Sequence, residues 1–435
     1  MLPIRTMLLG MTLLLTACPA PQAPSEHTPG ATTQPTPTPQ PTPTAEPTAE
    51  PTPTPSASPV DLQGRLYDLS TGKPLIGATA LIGGMQVVTG SDGSFKVALE
   101  SENTATWSTF LAAGYVPLSI SGYAGGPLYL QPDDAVALDI TSTVVSLQTP
   151  PGSATSSVLA IAVKPTGHAY ASSVHLYKPT FSAQGTASVK VTPMPRGEAT
   201  LLAYGTDGTV AGGLRTPVSS AISLSLAPVP RYDLYQASVA TPRTDGSTTQ
   251  IASFDLVWPS ETPDLPNRLW LGVISGASTA FPIALPPASA FGIPEASYAV
   301  SGRVLDTATY QYLAERYLQP LTPGARSVPM LAEPGAEATS GAFGVLPSTS
   351  PGATAYYADV QDPDTERFVW RLVSLGETPK NLTLPALPAS LQSWRLPTGK
   401  SYSVRVGAAE GLRGFKATGA YTQGKSLNVP LPSAE

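Results

Sequence analysis

From Val60 onward, apolar residues recur at every second position or fill short unbroken runs, and they almost never follow helical spacing. Ala187 to Val191, Phe254 to Trp258 and Tyr402 to Val406 alternate, which predicts strands with one face buried. Val158 to Val163 is apolar throughout and reads as a strand covered on both faces. Gly, Pro, Asp and Ser clusters separate the runs at the spacing of β-sandwiches. Only Thr307 to Leu318 has a helical pattern, and it is brief. The expected fold class is all-β, as tandem Greek-key or immunoglobulin-like sandwiches. Four segments are expected, at 60–132, 135–230, 231–340 and 341–435, the third being the least regular.

Individual turns are legible as well. Thr71-Gly72, Asp92-Gly93 and Thr206 to Thr209 carry turn residues, with Asp92-Gly93 and Thr206 to Thr209 expected to close hairpins. Met194 to Glu198 reads as a turn feeding a strand. Gly77-Ala78 marks a place with little room for side chains, and Phe95 and Tyr115 are expected in the core. In the last segment Trp370 and Tyr402 are the expected core aromatics.

Before Val60 the pattern stops. Pro19 to Pro59 is dominated by Pro, Thr, Ala, Gln and Glu, as in Gln34 to Pro39. Proline fixes φ and lacks an amide hydrogen, so this stretch is expected to be a disordered, extended tether with a reach on the order of 100 Å. Ahead of it lie Arg5, the apolar run Met7 to Leu15, and then Thr16, Ala17 and Cys18, the chain's single cysteine. The run is too short to span a bilayer, which takes about 20 residues.

This N-terminus resembles a bacterial lipoprotein signal peptide, with segment 1–17 as signal and Leu15, Thr16, Ala17 and Cys18 as its lipobox. The resemblance implies that Cys18 is alkylated by a diacylglyceryl group and becomes the new N-terminus, fixing the protein to a membrane through covalent lipid. Two or three acyl chains hold far more firmly than one. Pro19, rather than Asp, follows the cysteine, so the family's inner-membrane retention signal is absent. The implied address is the cell envelope, at the outer membrane or cell surface.

A second resemblance lies in Gly64 to Asp68, Thr71 to Ala78, Thr89 to Phe95, Ala113 to Tyr115 and Leu128 to Pro132. Their order resembles the carboxypeptidase regulatory-like domain, a small transthyretin-like sandwich, although Gly90 departs from the acidic or Asn residue common after the Thr. That family carries no peptidase machinery, so the resemblance implies a scaffold or interaction role. The last segment looks like a fibronectin type III or immunoglobulin-like module by pattern alone. Ser301 to Asp306 faintly echoes Gly64 to Asp68 and is read as a coincidence.

Chemistry-bearing motifs are few. Charged residues make up 12% of the chain and net −6, which excludes a nucleic-acid partner because phosphate binding needs a dense basic surface. Gly419 to Ser426 spells a phosphate-binding loop, but no helix can follow it before Pro430 and Pro432. It is read as a hairpin turn, with no nucleotide bound. Asp359, Asp362, Asp364 and Glu366 are spaced to gather round calcium but lack the EF-hand glycine, and Asp362 to Thr365 reads as a capped turn. Of three histidines, His27 lies in the tether, and His168 and His175 would sit on opposite faces of a continuous strand. No catalytic residue, metal site or cofactor is assigned. The expected role is a structural or interaction scaffold without catalysis. The alternative is a binder of envelope glycan, peptidoglycan or protein, for which Trp107, Tyr115, Tyr123 and Tyr129 would form the stacking platform if exposed together.

Overall fold

The computed structural model describes residues 60–432 apart from several short stretches, among them 100–106, 135–138, 152–157 and 277–280. The signal segment, the tether, Cys18 and His27 lie outside the described residues.

The alternating segments form strands that bury every second side chain. In β1 (Val60–Asp68), Leu62 and Leu66 are buried while Asp61, Gln63 and Arg65 face solvent. The first module adds β2 (Thr79–Ile82), β3 (Met85–Val88), β4 (Ser94–Leu99), β5 (Ser108–Leu111), β6 (Leu118–Ser121) and β7 (Gly126–Leu130). The second has β8 (Ile140–Gln148), β9 (Leu159–Pro165), β10 (Ser173–Tyr177), β11 (Thr186–Pro195), β12 (Glu198–Gly205), β13 (Val210–Pro217), β14 (Ala221–Ser225) and the short β15 (Ala227–Pro228). The third has β16 (Asp233–Val239), β17 (Thr248–Trp258), β18 (Asn267–Gly276), β19 (Phe281–Leu285), β20 (Ser297–Asp306), β21 (Tyr312–Pro320) and β22 (Gly324–Val328). The fourth has β23 (Ala336–Ala338), β24 (Gly344–Pro347), β25 (Ala355–Gln361), β26 (Phe368–Leu375), β27 (Leu382–Thr383), β28 (Lys400–Ala409), the pair β29 (Leu412–Arg413) and β30 (Lys416–Ala417), and β31 (Ala420–Leu431).

One topology repeats through all four. If the seven strands of the first module are lettered A to G, one sheet runs C-B-E-F (β3-β2-β5-β6) and the other D-A-G (β4-β1-β7), with A and G parallel. The second module repeats this as β10-β9-β12-β13 over β11-β8-β14, and the third as β18-β17-β20-β21 over β19-β16-β22. The fourth keeps C-B-E-F as β26-β25-β28-β31 and D-A as β27-β24, while β23 lies antiparallel to A where the others place G. The tract expected to be irregular therefore follows the same plan, and the fourth module's sheet 2 starts at β23, ahead of residue 341. The echo at Ser301 to Asp306 falls on strand E, whereas Gly64 to Asp68 is strand A, so it reflects no equivalence of position.

The modules are not beads on a string. The C-B-E-F sheets of the third, fourth and first modules join edge to edge into one sheet of 12 strands, β18-β17-β20-β21-β31-β28-β25-β26-β6-β5-β2-β3. The F strands β21 and β31 pair antiparallel, and β26 pairs with β6 in parallel. Edges that would otherwise offer unpaired amides are consumed by neighbouring modules. The second module stacks through its E and F strands on the third: Leu202, Tyr204 and Ala211 share a buried cluster with Phe254, Leu256 and Phe291. Tyr204 Oη donates to the Leu271 carbonyl at 2.6 Å.

Several local expectations change. Tyr312 to Pro320 is a strand, because its apolar residues at Leu313 and Ala314 and its charged pair meet β20 and β31 in a two-sided sheet, where tertiary pairing overrides a short helical pattern. Gly419 to Ser426 is no hairpin turn: Ala420 onward runs straight through β31, with only a register shift opposite Arg405 to Gly407. Asp92-Gly93 turns the chain, but between β3 and β4, which belong to different sheets. Gly93 has φ +74, and a Cβ there would lie 2.6 Å from the Leu66 carbonyl. Gly77 also has positive φ (+72), yet nothing approaches it within 4 Å, so its conformation rather than crowding calls for glycine.

Candidate functional site

On one face of the 12-stranded sheet, charged side chains and one phenol succeed one another from strand to strand. In spatial order they are Arg268 on β18, Asp255 on β17, Arg303 on β20, Glu315 on β21, Tyr421 on β31, Arg405 on β28, Asp359 on β25 and Arg371 on β26. Arg303 stands directly across from Glu315, Glu315 from Tyr421, Asp359 from Arg405 on one side and from Arg371 on the other. Opposite charges on cross-strand neighbours attract, and a slip of one residue would move the row to the other face. The row crosses the seam between the third and fourth modules without interruption.

Its contacts are direct. Arg371 grips Asp359 with Nε and Nη2 at 2.5 and 2.6 Å, and Arg268 grips Asp255 through the same two nitrogens at 3.1 Å each. Such forked pairs are the strongest hydrogen-bonded ions a protein makes. Arg303 Nε donates to Glu315 at 3.0 Å, and Tyr421 Oη donates to the other Glu315 oxygen at 2.8 Å. Asp255 is fully buried and Asp359 is 2% exposed. Burial raises the Asp255 carboxyl above its ordinary range, against the pull of Arg268. Burial works against the Arg371 charge too, but Asp359 outweighs it and the guanidinium is held above its usual value. Burial, and then Glu315, push the Tyr421 phenol well up, so it stays a neutral donor.

A lid from the fourth module and two residues of the first cover the row. The β29–β30 hairpin sets the Phe415 ring 4.3 Å from the Arg371 guanidinium carbon, whose other neighbour is the Tyr357 ring at 4.8 Å. Lys416 extends over the Tyr129 ring at 5.1 Å. Between lid and sheet lies a cleft of about 360 Å³, lined also by Leu69 and Gln131 of the first module. The lining contains guanidinium, ammonium, amide and phenol donors together with ring faces. Its carboxylates, Glu315 and Asp359, are held in ion pairs with Arg303 and Arg371.

Two further locks flank the cleft. Arg316 Nη1 donates to Glu410 at 2.8 Å across the seam of the third and fourth modules, and the same guanidinium also binds the Pro329 carbonyl. Trp370 Nε1 donates to Ser119 Oγ at 3.0 Å, tying the fourth module to the first.

The structure separates the residues that sequence spacing grouped. Asp359 belongs to the buried row, whereas Asp362 and Asp364 sit in a turn in which the Asp364 amide donates to Asp362 at 2.9 Å. Lys400 Nζ donates to both carboxylates, at 2.7 and 2.6 Å, so a single side-chain cation is shared by the two acids of the turn. The expected faces of His168 and His175 do not arise, since β9 ends at Pro165 and His175 stands on the separate strand β10. The stacking platform is absent: Tyr129 and Tyr123 are buried, Tyr115 is half-buried and donates to Asp68 at 3.1 Å, and Trp107 packs against the fourth module's core. Trp370 and Tyr402 are core residues, as expected. The lipobox Leu15, Thr16, Ala17 and Cys18 lies outside the described residues.

No protein-family model and no curated protein matches the chain. Among solved structures, a tetra-tandem repeat from the extending region of a large adhesion protein aligns at 10% identity over 86% of this chain and 100% of that one, with a TM-score of 0.16. Two B repeat units of the collagen-binding protein of Staphylococcus aureus align at 8% identity over 84% and 100%, with a TM-score of 0.15. The Bacillus anthracis TIE protein aligns at 11% identity over 62% and 50%, with a TM-score of 0.14. Scores this low add nothing to what the strand pairing establishes.

Proposed function

We propose that this protein is a lipid-anchored scaffold of the bacterial cell envelope, without catalytic activity. Lipid on Cys18 fixes it to the membrane, the Pro/Thr-rich tether gives reach, and the folded modules present a body of fixed shape at the outer membrane or cell surface. The observation that carries this reading is the fusion of three modules into one sheet, with a buried charge row across the seam of the third and fourth. Modules meant to flex past one another do not share backbone hydrogen bonds across their seams, and modular interfaces are otherwise mobile by default. The likeness of the first module to an accessory domain without peptidase machinery supports the same reading. Among the described residues no helix is long and apolar enough to cross a membrane. Expression of wild type and Cys18→Ser in a bacterial host, with an acyl label and detergent-phase partitioning, tests the anchor. The wild type carries label and enters the detergent phase, and the variant does neither. Equal partitioning and labelling of both would overturn the proposal.

A further inference from the structure

A second cleft lies where the second module stacks on the third. Strands β12 and β13 supply Thr200 and Arg215, the end of β17 supplies Trp258, and the loop after the 3-10 turn Ala288–Phe291 supplies Ile293, Pro294 and Glu295. Its volume is about 510 Å³, within the range of about 300–1,000 Å³ in which small-molecule sites fall, and junctions between domains are where such sites concentrate. Trp258 and Ile293 are half-buried against the third module's core and line the cleft as its apolar part.

Three polar groups of this lining are unspent. Thr200 is only 7% exposed, yet its hydroxyl has no hydrogen-bond partner among the described residues, and neither the Trp258 indole nor the Glu295 carboxylate has one. A buried hydroxyl without a partner is costly, and native structures keep few of them. Glu295 also holds φ +55, a left-handed conformation uncommon outside glycine, and Gly292 in the same loop holds φ +67. Backbone of this kind clusters at ligand clamps.

The chemistry of these groups narrows the occupant. The Thr200 hydroxyl donates and accepts, the Trp258 indole donates only, and the Glu295 carboxylate accepts only. Arg215, whose Nη2 is held by Glu198 at 2.9 Å, brings a guanidinium. Together with Glu295 it gives the lining one charge of each sign, which selects neither an anion nor a cation. A sugar meets all of these demands, since its hydroxyls donate as well as accept and the C–H face of its ring lies flat on an indole. A proline-rich peptide offers carbonyls but few N–H groups, and would leave the Glu295 carboxylate without a donor.

We propose that the cleft between the second and third modules binds a neutral saccharide, with one hexose ring on the Trp258 indole and its hydroxyls taken by Thr200, Glu295 and Arg215. This site goes beyond the scaffold role and is independent of the lipid anchor, so its test leaves the anchor untouched.

The test is isothermal titration of the full chain carrying Cys18→Ser with neutral trisaccharides of glucose, galactose, mannose and N-acetylglucosamine, and separately with a proline-rich peptide. Saturable one-to-one binding of at least one trisaccharide, with no binding of the peptide, is expected. Trp258→Leu keeps an apolar side chain but no flat ring, and Glu295→Gly suits the left-handed backbone while removing the carboxylate. Each weakens binding about tenfold, as the loss of a stacked ring or a charged hydrogen bond requires. Thr200→Val keeps the shape and deletes the unpartnered hydroxyl, so it weakens binding without lowering the melting temperature. Each variant is first shown to retain the wild-type circular dichroism spectrum. Failure of all the trisaccharides to bind saturably, binding of the peptide in their place, or binding unchanged in both Trp258→Leu and Glu295→Gly would overturn the proposal.

Discussion

Replacing Asp359 by alanine removes the acceptor at the centre of three charged strands. Asp359 stands between Arg371 and Arg405 in the register of β26, β25 and β28, and its carboxylate accepts both bonds of the Arg371 fork. Breaking a buried pair by removing one partner costs about 3–5 kcal/mol, because the remaining charge has lost its compensation. Arg371 keeps its bond to the Phe415 carbonyl at 3.3 Å and two aromatic faces, which offset about 1 kcal/mol. The expected loss is therefore about 3 kcal/mol. With a urea slope of about 3 kcal/mol per molar, this moves the midpoint down by about 1 M at unchanged slope. Arg371→Met alone leaves Asp359 buried beside Arg405 and costs a similar amount. The double variant Asp359→Leu with Arg371→Met recovers most of the loss, since apolar replacement of a buried pair is close to neutral. Urea titrations of the wild type, both single variants and the double variant complete the cycle. A midpoint shift below about 0.2 M for Asp359→Ala, or simple additivity in the double variant, would refute the reasoning.

Two other perturbations follow from the packing. Lys164, on β9, is 3% exposed and its Nζ donates to the His168 carbonyl at 2.6 Å. Burial, and then Arg268, lower its pKa to about 8. Below pH 8 both folded and unfolded chains hold the proton and the fold bears the full cost. Between about pH 8 and the ordinary lysine value near 10.4 the unfolded chain binds more protons, so stability rises with pH, by on the order of 3 kcal/mol. The difference in urea midpoint between wild type and Lys164→Met, measured across that window, reads this rise and cancels the opposing titration of the buried tyrosines; Lys164→Met is also the more stable protein at pH 7. Gly93→Ala meets both positive φ and the Leu66 carbonyl, whereas Gly77→Ala meets positive φ alone. Thermal unfolding gives a loss of about 1–2 kcal/mol for Gly77→Ala and a distinctly larger one for Gly93→Ala.

Much of the fold was legible because alternation is a local signal. Leu62 and Leu66 betray β1 without help from any partner, and Trp370 and Tyr402 announce a core by size alone. The seams were not legible. What makes β6 and β26 neighbours is the fit of two sheet edges 251 residues apart at the Ser119 and Trp370 contact, and no periodicity within either strand encodes its neighbour. The repeated topology is equally silent in sequence, since a sandwich needs only apolar residues on the inner faces and leaves their identity open. The charge row was hidden for particular reasons. Glu315 lies within the stretch of helical texture and Arg303 just ahead of it, and Asp359 was drawn toward Asp362 and Asp364 by proximity along the chain. The one signal available was an ionisable residue in mid-strand: Asp255 and Arg371 each interrupt an otherwise apolar run, where a charge needs a partner from another strand.

The central claim is that the first, third and fourth modules form one body through continuous backbone pairing. Native-state amide hydrogen exchange at the two seams, β21 with β31 and β26 with β6, reads this most directly. The account predicts that amides bonded across these seams exchange as slowly, within about an order of magnitude, as those between β25 and β28 inside the fourth module. Seam amides that exchange orders of magnitude faster, with protection confined to the strands within each module, would contradict it.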